Sequence, residues 1–276
     1  METTENDSKS NKFNSTIDTV TGLVKAIPVY NDAIQPAAKE IGKSLTTVSK
    51  AINVALAPIS VLIWGYEKIS VFINQRLVEK LRHIPEDNIV TPDPSVVGPA
   101  LEALRFSGNN EILRELYANL IATSMDKATI LNAHPGFVEI IKNMTADEAL
   151  ILKLFINDPL IPLVDIKINI RNRKGEVDYL NNYSNIGKDA RCQYEDLCPE
   201  YINNLCRLGL LHIPAGRSLT DPKAYDVLIN REDFLELKTK FESEETEITC
   251  VDKYIQLTDF GSQFIKACII DKDMSS

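Results

Sequence analysis

Apolar residues fall in two rhythms along this chain, and the change from one to the other comes near residue 159. Before it they recur every three or four positions, the spacing that places side chains on one face of a helix. After Pro36, which suits a first helical position, Ala37, Ile41, Leu45, Val48, Ile52 and Leu56 form such a stripe. Pro58 interrupts it, and residues 59–84 resume as a second helix with a polar stripe through Ser60, Glu67, Asn74 and Lys80 or Arg82. Further on, Ser107, Gly108 and Asn109 separate two helices, the second striped by Leu113, Leu116, Tyr117, Leu120 and Ile121, which predicts a helical hairpin. Pro135 opens a short helix. Thr145 with Glu148 three residues later forms a capping box, in which hydroxyl and carboxylate satisfy backbone N–H groups left free at a helix start, so a helix follows over 146–156.

Past Pro159 the rhythm becomes two: Val164, Ile166, Ile168 and Ile170 alternate with polar neighbours, and Gly175 sits in a basic turn behind them. Residues 195–214 read as a helix closed by Gly209 and running into a short strand; residues 254–270 read as a strand entering a final helix capped by Thr258 or Asp259. Helix, strand, loop, strand, helix is the pattern of a winged helix. The expected fold is mainly α, a helical N-terminal domain followed by a small α+β winged-helix-like C-terminal domain. Its expected parts are a disordered lead over 1–15, an amphipathic helical module over 16–83, a Pro-rich linker over 84–95, a helical domain over 96–158 and the winged-helix-like domain over 159–276.

The stretch 51–73, AINVALAPISVLIWGYEKISVFI, is the most apolar in the chain. Between Lys50 and Glu67 it is uncharged for about 24 Å of helix, short of the roughly 30 Å hydrocarbon core and broken by Pro58, which argues against a single span. Its neighbourhood is basic: residues 35–82 hold seven Lys and Arg against three Asp and Glu, although the whole chain carries −9. A basic, amphipathic helix pair with Trp64 and Tyr66 amid aliphatics has the makings of an element that rests on anionic lipid. The candidate contact residues are Ile59, Leu62, Ile63, Trp64, Tyr66, Ile69 and Ile73. The competing expectation is a hairpin buried against the helices of 95–156, and a burial that can be released reconciles the two.

Composition, 44% hydrophobic and 25% charged, is that of an ordinary globular protein, and 276 residues suit two cores better than one. Five scattered cysteines and a polar, acidic start without the regions of a signal peptide point to reduced thiols in a cytoplasm. Cys192, Cys198, Cys206 and His212 match no zinc spacing, and the acidic run 241–247 lacks the alternation and central Gly of a calcium loop. No phosphate-cradling glycine motif occurs, and His83, His134 and His212 have no partners in sequence, so neither cofactor, metal nor catalytic residue is expected. His134 reads as a cap for the helix after it. Residues 145–276 hold 16 Lys and Arg against 23 Asp and Glu, which argues against nucleic acid; the basic cluster Lys167, Arg171, Arg173 and Lys174 keeps that alternative open.

Three segments carry a resemblance: Pro99 to Leu104, Leu116 to Met125, and His134-Pro135 with Phe137 followed by Glu148-Ala149, with looser agreement at 207–211 and 257–268. They resemble the abortive-infection alpha family, bacterial proteins grouped with anti-phage defence. The resemblance implies growth arrest or death of an infected cell, and it brings no catalytic residue with it. The expected function is a non-enzymatic defence protein acting through conditional membrane association of the 35–82 helices, with a protein partner or self-association. The alternative is a winged-helix regulator that binds nucleic acid or docks on a protein.

Overall fold

The computed structural model describes residues 65–171 and 175–272. The helix expected over 36–56, the disordered lead and residues 59–64 of the second helix lie outside the described residues. What is described of that second helix is α1 (Tyr66–Leu81), where Ile69, Ile73, Leu77 and Leu81 recur every fourth position and are all fully buried. α1 lies against the predicted hairpin of α2 (Pro94–Ser107) and α3 (Glu111–Ser124). Each hairpin helix begins on a side-chain cap: Asp93 accepts from the Ser95 N–H at 2.8 Å, and Asn110 from the Leu113 N–H at 3.1 Å.

The run 84–95, expected as linker, is tied to the end of α3. Ile89 bridges to Asp126, the Val90 N–H donates to the Met125 carbonyl at 2.7 Å, and the Lys127 N–H donates to the Asn88 carbonyl at 3.0 Å. Prolines remove donors from this run; the Asn88 and Ile89 N–H groups bond within it, to the Pro85 and Glu86 carbonyls, and the Val90 N–H bonds to the neighbouring corner. Pro94, counted with the linker, stands at the first position of α2.

After α4 (Gly136–Lys142), the capping box at α5 (Ala146–Leu154) is realised in both directions: Thr145 Oγ1 accepts from the Glu148 N–H, and Glu148 Oε2 from the Thr145 N–H. A four-stranded antiparallel sheet follows in the order β2-β1-β4-β3, made of β1 (Leu160–Ile170), β2 (Glu176–Tyr183), β3 (Leu211–His212) and β4 (Thr246–Leu257). β1 and β4 pair without interruption from Leu160 with Gln256 to Ile170 with Thr246. The β1–β2 ladder slips twice around Ile166, and Asn182, at φ 59°, takes up the irregularity. α6 (Ile186–Asp189) and α7 (Cys198–Arg207) connect β2 to β3, and α8 (Asp226–Ile229) and α9 (Glu232–Phe241) connect β3 to β4. α10 (Asp259–Phe264) starts on the Thr258 cap and ends in a π turn, Ile265–Ile269.

The apolar interior has two parts. A small one under the sheet gathers Val164, Ile166, Tyr183, Tyr225, Leu228 and Phe234. The large one runs without a break from Ile69 of α1 through α2 to α5, α7 and β4 to Ile269. The π turn lies directly on α3, where Asn119 Nδ2 donates to the Cys268 carbonyl at 2.9 Å and Thr123 Oγ1 to the Ala267 carbonyl at 3.0 Å. Those two carbonyls end a helix and lack intrahelical partners, so α3 supplies them.

Candidate functional site

The candidate element is α1, because it combines a fully buried apolar stripe with a border of ion pairs. Arg76 Nε bonds Glu115 Oε1 on α3 at 2.7 Å, and its other end bonds Glu79 at 2.6 Å. One turn on, Lys80 Nζ reaches Asp271 Oδ2 at 3.1 Å and Glu115 Oε2 at 3.4 Å. The sequence places Lys80, or Arg82, at the end of the polar stripe of this helix. The Lys80 side chain is only 3% exposed, and two carboxylates make that burial tolerable. The open face of α1 is instead Glu67, Lys68, Val71, Gln75 and Glu79.

Of the seven membrane-contact candidates, Ile59, Leu62, Ile63 and Trp64 lie outside the described residues. Tyr66 is the first residue of α1. Ile69 and Ile73 have no exposure at all. Among the described residues no helix is long and apolar enough to cross a membrane.

Of the basic cluster, Arg173 and Lys174 lie outside the described residues, and the other two cations are neutralised. Lys167 is paired with Glu176 and with Asp178 at 3.4 Å, both on β2, and the hydrogen bond to Glu176 raises its ammonium above the usual lysine value. Arg171 lies 3.5 Å from Glu247 on β4. Alternating strand positions place these carboxylates beside the cations, a pairing that the linear cluster did not reveal.

His134 stands one residue ahead of Pro135, the N-cap position of α4. Its Nδ1 accepts the Gly136 N–H at 3.0 Å, and its ring lies 5.6 Å from both Phe137 and Phe260. Phe137 also stands 5.1 Å from Phe264, so this aromatic group joins the start of α4 to α10. The acidic run 241–247 forms the approach to β4. Among the described residues no three His, Cys, Asp or Glu side chains are placed to hold a metal. The depression along α9, about 530 Å³ and lined by Asn230, Glu232, Leu235, Glu236, Thr239 and Lys240, is wide open to solvent.

One polar centre escaped the sequence. Asp147 and Glu148, both buried at the start of α5, hold the segment that leads into α7. Asp147 accepts from the Gln193 N–H at 2.9 Å, the Tyr194 N–H at 3.1 Å and the Tyr201 O–H at 3.0 Å, while Glu148 accepts from Asn204 Nδ2 at 2.6 Å. Burial and then the bond to Asp147 push the Tyr201 hydroxyl up to about 12. Burial, reinforced by the Asp147 charge, pushes the nearby Cys192 thiol up to about 12. A capping box needs only one of two adjacent acids, and the second was the unread signal.

A protein-family profile described as abortive infection alpha matches residues 65–268. The chain belongs to the abortive infection alpha family. At the level of the family this places it in abortive infection, a form of anti-phage defence. The abortive infection alpha match opens at Gly65, just ahead of α1, and closes at Cys268 in the π turn, so α1 and α3 lie wholly within it. No curated protein matches. A solved structure of an uncharacterized protein from the hydrocarbon-degrading marine bacterium Alcanivorax borkumensis SK2 is 20% identical, covers 52% of this chain and 96% of that one, and superposes with a TM-score of 0.34.

Proposed function

We propose that this abortive infection protein acts in the cytoplasm without catalysis, by releasing α1 and the apolar run before it onto an anionic membrane surface. The observation that carries the reading is the stripe Ile69, Ile73, Leu77 and Leu81, buried entirely yet mounted on a helix whose other face is open. In water, exposing four aliphatic side chains costs about 6–12 kcal/mol, as much as a whole domain's stability, so α1 stays docked. At a headgroup boundary the same side chains are buried again, and the exchange becomes close to neutral. Ion pairs worth about 1 kcal/mol then suffice to set the balance.

The chemistry of its thiols and of His134 suits a non-catalytic role. The thiols stay protonated, because burial raises Cys192, Cys198, Cys206, Cys250 and Cys268 alike, and His134 is engaged as a cap. A second reading is favoured by element order. α5, β1, α6, α7, β3 and β4, with the strands adjacent as β1-β4-β3, follow the succession of a winged helix into which β2 and α8–α9 are inserted. With Lys167 and Arg171 neutralised, such a module suits docking on a protein partner or a second copy better than binding nucleic acid.

The test uses charge reversal on the basic side. Lys80 is unsuitable, since a glutamate there would meet Glu115 and Asp271. Lys43→Glu, Lys50→Glu and Lys68→Glu together are expected to leave the protein folded and to weaken binding to anionic vesicles by about 1 kcal/mol per position, with loss of the effect on cell growth. Wild-type protein that never binds such vesicles, or a variant of undiminished effect, refutes the membrane mechanism.

A further inference from the structure

We propose that Asp271 and Lys272, which follow the π turn after Ile270, form a latch that holds α1 in the core. This rests on the reading of α1 as the releasable element and names what restrains it. The dipeptide is anchored to the body of the protein independently of α1. Lys272 Nζ bonds Asp126 Oδ2 at 2.8 Å and Thr129 Oγ1 at 2.6 Å in the corner after α3, and the turn before it hangs from Asn119 and Thr123 of α3. Asp271 points the other way, to Lys80. One neighbour is thus fixed to the frame while the other grips the helix.

Lys80 makes the grip consequential. It lies beside Leu77 and Leu81 at the end of the buried stripe, and its nearly inaccessible ammonium depends on Asp271 and the more distant Glu115. Removing a carboxylate from a buried cation leaves a charge that favours water, and for Lys80 the way to water is for α1 to lift. Asp271 is itself 41% exposed, so its substitution alters the grip without opening a cavity. The Asp126–Lys272 pair belongs to the anchor: Asp126 would be raised by burial, yet the hydrogen bond and charge of Lys272 hold it below the usual carboxyl value.

Hydrogen exchange resolved along the full chain tests the latch. Asp271→Asn is expected to speed exchange of the α1 amides about tenfold, the size of one charge-assisted bond, with α3 and α5 unchanged. Glu139→Gln, which breaks the exposed Lys142–Glu139 pair on α4, serves as the control and leaves α1 unchanged. Unaltered α1 exchange in Asp271→Asn, or equal acceleration of α1, α3 and α5, overturns the proposal. Vesicles of equal parts phosphatidylcholine and phosphatidylglycerol separate the two readings: α1 opening without vesicle binding keeps the latch and removes the membrane. Vesicle binding with unaltered exchange does the reverse.

Discussion

α1 and α3 lie side by side in one core, yet they are built for different fates. α3 buries every residue from Leu116 to Ser124, including Asn119 and Thr123, whose side chains hold the π turn. α1 buries its apolar side chains in a single file, one residue in four, with Lys80 and the other ion pairs at its border. α3 is the axle on which other elements are assembled, and removing it would strip α1, α2, α4, α5 and the π turn of their common surface. α1 touches that axle on one side. An element surrounded on all sides can only unfold with the protein, whereas an element seated on one side can leave alone.

The largest expected effects break this comparison directly. Leu120→Asp places an unpaired carboxylate in the centre of α3 and is expected to yield no folded protein, a loss above about 5 kcal/mol. Ile73→Asp, equally buried, is expected to free α1 and spare the rest, so that limited proteolysis cuts near residue 83 and leaves a resistant remainder. If both variants lose all structure together, α1 is an integral part of the core.

Acid gives an intermediate effect centred on α3's corner. Asp126 and Asp233 are held below the ordinary carboxyl value of 3.8 in the folded protein, Asp126 by Lys272, and Asp233 by Tyr183 and Arg231 against the pull of burial. The unfolded chain therefore binds more protons at low pH. The stability these groups give is complete above their unfolded value and is lost as pH falls through the folded ones. Thermal melts below about pH 4 are expected to steepen this loss in wild type, and Asp126→Asn to flatten it.

The smallest effect concerns the cap. His134→Gln keeps an acceptor near the Gly136 N–H and is expected to change the unfolding free energy from denaturant melts by no more than about 0.5 kcal/mol, with the protective phenotype retained. Loss of phenotype in a folded variant would give His134 a role beyond capping.

Local signals were legible where one residue pair decides a structure. Thr145 with Glu148, the Ser107–Asn109 break and the Thr258 cap all appear in the fold where their chemistry puts them, whereas of the alternating set Val164, Ile166, Ile168 and Ile170 only the first two are buried. β2 was not legible, because the slip around Ile166 and the positive φ of Asn182 upset its alternation, and its exposed acids resemble a loop. In the candidate site, the apolar period of α1 was readable, whereas the burial of Lys80 was not. That burial depends on Asp271, 191 residues away in sequence, and no periodicity records such a partner. The same holds for Asp147, whose ligands lie beyond the whole β1–β2 hairpin.

The single file on α1 also sets how the helix responds to force. Ile69, Ile73, Leu77 and Leu81 stand about 6 Å apart along the axis, so tension applied at Gly65 and directed away from α3 loads them in succession, as in peeling tape, instead of all at once, as in shearing a lap joint. Ile69 yields first, and Lys80 with its grip on Asp271 is loaded near the end. Peeling proceeds at low force because each step breaks one contact while the next still holds. A pull on the chain ahead of Gly65 is therefore a mechanical input to which α1 is compliant and the nine-residue buried run of α3 is stiff.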